Sequence, residues 1–281
     1  MEKLKLNKKI LVFCDLDGTA LNNAHEFDKE TIYMVKRLYE KGHYFIPVTA
    51  RLTDDAIRQA QTLGLSKYNG IVAANNGAQI YDFKNNKFIK NETLSDNFIN
   101  EIFKKTFGLT GKYKVNYYSD KTTYVYCEGK DTKLWTDIMK SELKVINNYN
   151  DITERINRIA VILKKNASVS DLEEFEKDFD IFIKECDVTS YSKRVHEFCP
   201  RDCNKGTVPI TVLEHLGINR KDTTIFAFGD NYNDIPMLSM ADYGVVMDNA
   251  TPEIKGYGDF ITENNNELGV ANFIKKRILM I

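Results

Sequence analysis

Short apolar runs that end in polar residues recur near both ends of this chain. Ile10-Leu11-Val12-Phe13 is too short to span a membrane and too apolar for an exposed edge, so it reads as a buried strand. Tyr44 to Val48, Ile71 to Ala74, Thr223 to Phe228 and Tyr243 to Met247 read the same way, although Pro47 lacks the donor that a central strand uses. Helical spacing separates these runs. Asp28 can cap a helix with Ile32, Val35 and Leu38 on one face and Gly42 at its end. Thr53 or Asp54 starts a second, carrying Ala56, Ile57, Ala60 and Leu63 and stopping near Gly64. Asn204 can cap a helix over Lys205 to Leu216, with Pro209 pushing its regular start a residue or two further on. A short helix is expected over Ile235 to Met240 and a last one over Leu268 to Ile281, where Lys275-Lys276-Arg277 suits the helix dipole.

The middle of the chain has another texture. Ala78 to Tyr81 and Lys87 to Lys90, joined through Lys84-Asn85-Asn86, predict a hairpin. From about 84 to 192 the strands are more amphipathic and Tyr-rich: Tyr113 to Tyr118, Thr122 to Cys127, Ile156 to Leu163 and Asp180 to Cys186. Helical periodicity falls at Leu94 to Phe107, Leu134 to Leu143 and Leu172 to Phe179. The pattern predicts an α/β chain: a Rossmann-like parallel-sheet core from 1–83 and 193–281, and an inserted α+β cap domain over 84–192. The cap's antiparallel sheet is expected to have one face covered by helices. Tyr117, Tyr118, Tyr124 and Tyr126 suit sheet packing through their β-propensity, with a substrate pocket as the alternative.

Composition narrows the classes. The 281 residues are 43% hydrophobic and 28% charged, as in a soluble globular protein with ample core. A net charge of −1 gives no general attraction to nucleic acid or to an anionic membrane. No stretch approaches the ~20 apolar residues of a membrane span. Met1 to Lys5 leads into the first strand without a signal-peptide core, which makes the cytoplasm the expected location. Five scattered cysteines imply no disulfide framework, and the spacing of His196, Cys199 and Cys203 fits no common zinc pattern. His25, His43 and His215 have no motif around them and read as ordinary surface or helix-end residues.

The chemistry lies at the strand ends. Cys14-Asp15-Leu16-Asp17-Gly18-Thr19 places two carboxylates one residue apart. They would repel each other and lose hydration unless a cation sits between them or one is held protonated. Thr49-Ala50-Arg51 ends the second run, and Gly229-Asp230-Asn231-Tyr232-Asn233-Asp234 follows a late one. In an open parallel sheet the carboxyl ends of strands share one edge, where ligands bind. With Lys205 near a helix start, the set amounts to a site for Mg²⁺ and a phosphoryl group.

Asp15-Leu16-Asp17-Gly18-Thr19, Thr49-Ala50-Arg51, Lys205-Gly206 and Gly229 to Asp234, in that order, resemble the four motifs of the haloacid dehalogenase (HAD) superfamily. Within it the chain is similar to the Cof-like phosphatases, with further likeness at Asn76-Gly77-Ala78 and Met247-Asp248-Asn249-Ala250. The resemblance implies that Asp15 is the nucleophile, forming an aspartyl-phosphate, and that Asp17 is the acid and base. It implies that Mg²⁺ is held by the Asp15 carboxylate, the Asp17 backbone carbonyl and Asp230. Thr49 and Lys205 would bind phosphate with backbone amides near Leu16 and Ala50, while Asn233 and Asp234 orient phosphate, metal waters or Lys205. Ala50 departs from the glycine often found there, and its methyl narrows the approach to phosphate without being expected to abolish activity. Arg51 suits either a substrate contact or an ion pair. The implied reaction is Mg²⁺-dependent hydrolysis of small phosphorylated metabolites, sugar phosphates foremost. A phosphotransferase or mutase, and a phosphorylation-dependent signalling module, are the alternatives.

Overall fold

The computed structural model describes residues 4, 6, 9–127, 129–164, 168–180 and 184–281. The strands in the first part of the chain are β1 (Lys9–Cys14), β2 (Tyr44–Pro47), β3 (Ile71–Ala74), β4 (Gln79–Asp82) and β5 (Lys87–Asn91). Then come β6 (Tyr113–Tyr118), β7 (Thr122–Val125), β8 (Glu142–Val145), β9 (Arg158–Leu163), β10 (Cys186–Ser192) and β11 (Val195–Pro200). The last three are β12 (Thr223–Gly229), β13 (Tyr243–Met247) and β14 (Phe260–Thr262). The chain divides into two compact units, one of Met1–Ala50, Ala56–Lys90 and Asn204–Ile281, the other of Arg51–Asp55 and Asn91–Cys203. No helix among the described residues is long and apolar enough to cross a membrane.

In the first unit five parallel strands lie in the order β14-β13-β12-β1-β2. Alternation along β1 sends Ile10, Val12 and Cys14 into one buried cluster with Met34, Val35 and Leu38, and Leu11 and Phe13 into another with Val208, Val212 and Met237. Both faces are therefore covered, which is why the strands are continuously apolar. Pro47 is accommodated at the end of β2. Val48 donates its N–H to the Cys14 carbonyl at 2.8 Å, so by alternation the Pro47 nitrogen faces away from β1. β3, β4 and β5 form a separate three-stranded sheet in that order, in which β4 and β5 are the strands of the expected hairpin. Ile71–Ala74, read from its apolar run as a strand like those of the core, instead pairs antiparallel with β4. Asn204 caps a 3₁₀ turn by accepting from the Gly206 N–H at 3.0 Å, and the regular helix begins at Val208 beside Pro209.

The second unit is a six-stranded sheet ordered β10-β11-β9-β6-β7-β8. Its pairs are antiparallel except β7–β8. That exception corrects the sequence reading: Glu142 to Val145 is a strand, and the helix ends at Met139 with Lys140 left-handed. A parallel neighbour needs a crossover, and the helix Lys130–Met139 supplies it. Tyr113, Val115 and Tyr117 of β6 pack against the helices Asp96–Thr106 and Val169–Asp180. On the opposite face Lys114, Asn116 and Tyr118 meet the crossover helix at Thr132, Trp135 and Thr136 around a cavity of about 260 Å³. Helices thus lie on both faces, not one. The strand expected over 180–186 falls partly on 181–183, outside the described residues. β11 pairs with both β10 and β9, so 193–203 belong to this unit.

Candidate active site

The three strands that deliver polar motifs are consecutive neighbours, β12-β1-β2. Cys14 is in register with Phe228 on one side and Pro47 on the other. The Asp15 N–H still donates to the Phe228 carbonyl at 3.0 Å, which locks the start of the first motif beside the end of β12. Residues more than two hundred positions apart are thereby brought to one edge. Gly18 is left-handed (φ 75), and a Cβ there would stand 2.5 Å from Asp230 Oδ2, so the turn admits no side chain. Thr19 Oγ1 donates to Asp230 Oδ1 at 3.0 Å and closes the turn over that carboxylate.

Lys205 is buried at the centre. Its ammonium donates to Asp15 Oδ1 at 2.6 Å and to Asp234 Oδ1 at 2.7 Å. Asp234 Oδ2 accepts from the backbone N–H groups of Asp230 and Asn231 at 2.9 and 3.0 Å, so both oxygens of Asp234 are engaged by donors. Burial pulls the Lys205 pKa down, but the Asp15 and Asp234 carboxylates outweigh it and raise it. Burial, with repulsion from Asp234 and Asp230, pushes the Asp15 carboxyl well above its ordinary range despite Lys205. Asp230 is pushed up to about 7 by burial and by Asp234.

Oxygens of Asp15, Asp230 and Asp234 lie within 4.8 Å of one another. Three carboxylates against one ammonium leave an excess of negative charge in a poorly hydrated place. Hard oxygen donors with that excess fit a divalent cation. Since Asp234 is tied to Lys205 and two amides, Asp15 and Asp230 are the carboxylates best suited to face it.

The remaining sequence-predicted residues are placed as follows. Thr49 is buried, with its N–H on the Ala73 carbonyl (3.0 Å) and its carbonyl accepting from the Asn76 N–H (2.9 Å). Asn233 Nδ2 donates to Asn76 Oδ1 at 3.0 Å. Leu16 is buried, and its N–H meets no acceptor among the described residues. Ala50 is half-buried at the end of the first unit's β2 segment. Arg51 lies in the second unit, where its guanidinium pairs with Asp55 at 2.7 Å, both side chains buried. Asp17 stands outside the acidic cluster: its Oδ1 is 2.9 Å from His25 Nδ1, both side chains partly exposed. Sequence reasoning missed His25, whose only signal is the turn-forming Asn22-Asn23 before it, and Asn76 as the link between the second and fourth motifs.

A family profile described as haloacid dehalogenase-like hydrolase matches residues 12–274. The chain is 27% identical over 269 residues to the 5-amino-6-(5-phospho-D-ribitylamino)uracil phosphatase YcsE of Bacillus subtilis, covering 96% of each protein. It shares the fold of a haloacid dehalogenase-like hydrolase from Bacteroides thetaiotaomicron, with a TM-score of 0.79, 23% identity and coverage of 95% of this chain and 98% of that one. The HAD subclass IIB sugar phosphatase BT4131 aligns with a TM-score of 0.76 at 18% identity, over 96% of this chain and 99% of that one.

Proposed function

The chain belongs to the haloacid dehalogenase-like hydrolases, and we propose that it hydrolyses small phosphorylated metabolites, sugar phosphates foremost, through an aspartyl-phosphate on Asp15. The observation that carries this reading is the contrast between two carboxylates one residue apart. Asp15 is buried against Lys205, while Asp17 is partly exposed and outside the acidic cluster. Such a division suits a nucleophile and an acid–base group.

In the first step Asp15 attacks phosphorus in line and the P–O bond to the alcohol breaks as Asp17 protonates the departing oxygen. In the second, Asp17 takes a proton from water as that water displaces Asp15 from phosphorus. Lys205 and Thr49 bind phosphoryl oxygens, assisted by the Leu16 and Ala50 amides, and Asn233 is held by Asn76 to orient the same group. Asp234 anchors Lys205. Mg²⁺, bound by the Asp15 carboxylate, the Asp17 carbonyl and Asp230, would offset the charge that keeps an anionic ester from an anionic nucleophile. The inserted second unit is read as a cap that selects the alcohol. The names of YcsE and BT4131, a phosphorylated ribityl compound in one and a sugar phosphatase in the other, support small polyhydroxylated phosphates as the class.

The test is phosphate release from a broad panel of phosphate esters, with and without Mg²⁺, by wild type and Asp15→Asn. Mg²⁺-dependent release that vanishes in the variant is expected. Wild-type protein that releases phosphate from no ester would sink the reading.

A further inference from the structure

The loop after the first motif is built more tightly than a surface connection requires. Asn22 Oδ1 accepts from the Ala24 and Glu26 N–H groups at 2.9 and 3.1 Å, and the Asn22 carbonyl accepts from the His25 N–H at 2.9 Å. The other side is pinned as well. Asn265 Nδ2 donates to the Leu21 carbonyl at 3.0 Å, and the Asn23 N–H donates to Asn266 Oδ1 at 2.9 Å. Within this frame His25 is left-handed (φ 59), a conformation that Gly or Asn fills at lower cost. The result is an imidazole Nδ1 set 2.9 Å from Asp17 Oδ1. Stability does not account for it, because a partly exposed ion pair or hydrogen bond contributes only about 0–1 kcal/mol.

We infer that His25 is a positioning residue for Asp17: its Nδ1–H holds Oδ1, so that Oδ2 is the oxygen that carries the proton. The proton is assigned to Nδ1 because Oδ1 then accepts from it whether or not Oδ2 carries a proton. The inference rests on the proposed acid–base role of Asp17. Proton traffic then runs through one oxygen. Oδ2–H gives its proton to the alcohol oxygen as the P–O bond breaks and the Asp15–phosphorus bond forms. Oδ2 regains a proton from the water that cleaves that bond, returning the Asp15 carboxylate and phosphate. The imidazole keeps its own proton throughout, so its part is geometric.

The two leaving-group classes separate this role from a structural one. An alkyl phosphate needs its leaving oxygen protonated, whereas p-nitrophenyl phosphate expels a stable phenolate. His25→Gly removes the ring without backbone strain, and His25→Asn tolerates the left-handed backbone while placing an amide N–H where Nδ1 stood. kcat/KM of the full chain with Mg²⁺ should fall roughly tenfold or more for glucose 6-phosphate or another accepted alkyl ester in His25→Gly. For p-nitrophenyl phosphate it should stay within about twofold, and His25→Asn should recover most of the alkyl activity. Slower water attack should also produce a burst of p-nitrophenolate in His25→Gly. If Asp17→Asn discriminates between the ester classes but His25→Gly does not, or loses both equally, the inference is overturned alone. If Asp17→Asn does not discriminate, the acid–base reading of Asp17 fails and takes the inference with it.

Discussion

Lys205 holds a charge in a place where a charge survives only by being shared. Its ammonium touches two buried carboxylates and is itself almost without exposure. Replacing it with an apolar side chain leaves Asp15 and Asp234 facing each other without a counter-charge. Removing one partner of a buried ionic cluster costs about 3–5 kcal/mol. Lys205→Met should lower stability by that order in urea titration, as well as activity; a variant as stable as wild type would show that the carboxylates simply take up protons. Lys205 was legible in the sequence only through its company, since a lysine near a helix start is ordinarily solvated. The role of His25 was not legible, because beyond the turn signal of Asn22-Asn23 it depends on a loop geometry that places the ring against a residue eight positions earlier.

At the scale of elements, the strand ends do the positioning. Gly229 closes β12, and a Cβ on it would collide with Cβ of Asp234, which accepts the Asp230 and Asn231 amides. Gly229→Ala must therefore displace the turn that aims Asp230. A loss of about 1–3 kcal/mol is expected from the overpacking, together with weaker Mg²⁺ binding in calorimetric titration. Unchanged affinity would mean that the strand end shifts without moving Asp230. Periodicity identified β1, β2, β12 and β13 because both their faces are buried, which gives continuous runs; it missed β14, three residues long with only Thr262 buried. It failed at Glu142 to Val145, an edge strand with three of its four residues charged or exposed. It also assigned 193–203 to the core, since pairing partners are not written in a strand's own residues.

For the molecule as a whole, the acidic site ties stability to pH and metal. Asp230 has a folded-state pKa of about 7 against an ordinary 3.8. Between those values the folded protein keeps a proton that the unfolded chain has released. Its contribution is present at low pH and is lost as pH rises through that window, and the raised Asp15 acts in the same direction. Metal-free protein should thus lose thermal stability between about pH 5 and about pH 8, apart from other titrations. Mg²⁺ binds the ionised carboxylates, so it should raise Tm more at the upper pH than at the lower. Melting curves in chelator and in Mg²⁺ at both pH values test this, and equal metal-induced shifts would sink it.

Sequence by itself determined the class of fold, four of the five strands of the core sheet, and the residue types of the site. Apolar runs bounded by Asp, Gly, Thr and Asn have few other uses, and four motifs in fixed order restrict them further. Only the tertiary structure decided that β12, β1 and β2 are neighbours, that Lys205 bridges Asp15 and Asp234, that Arg51 pairs with Asp55, and that His25 meets Asp17. The physical reason is distance along the chain. Local preference acts over a few residues, whereas these contacts join positions chosen by sheet order, and sheet order comes from the burial of whole faces rather than from any single segment.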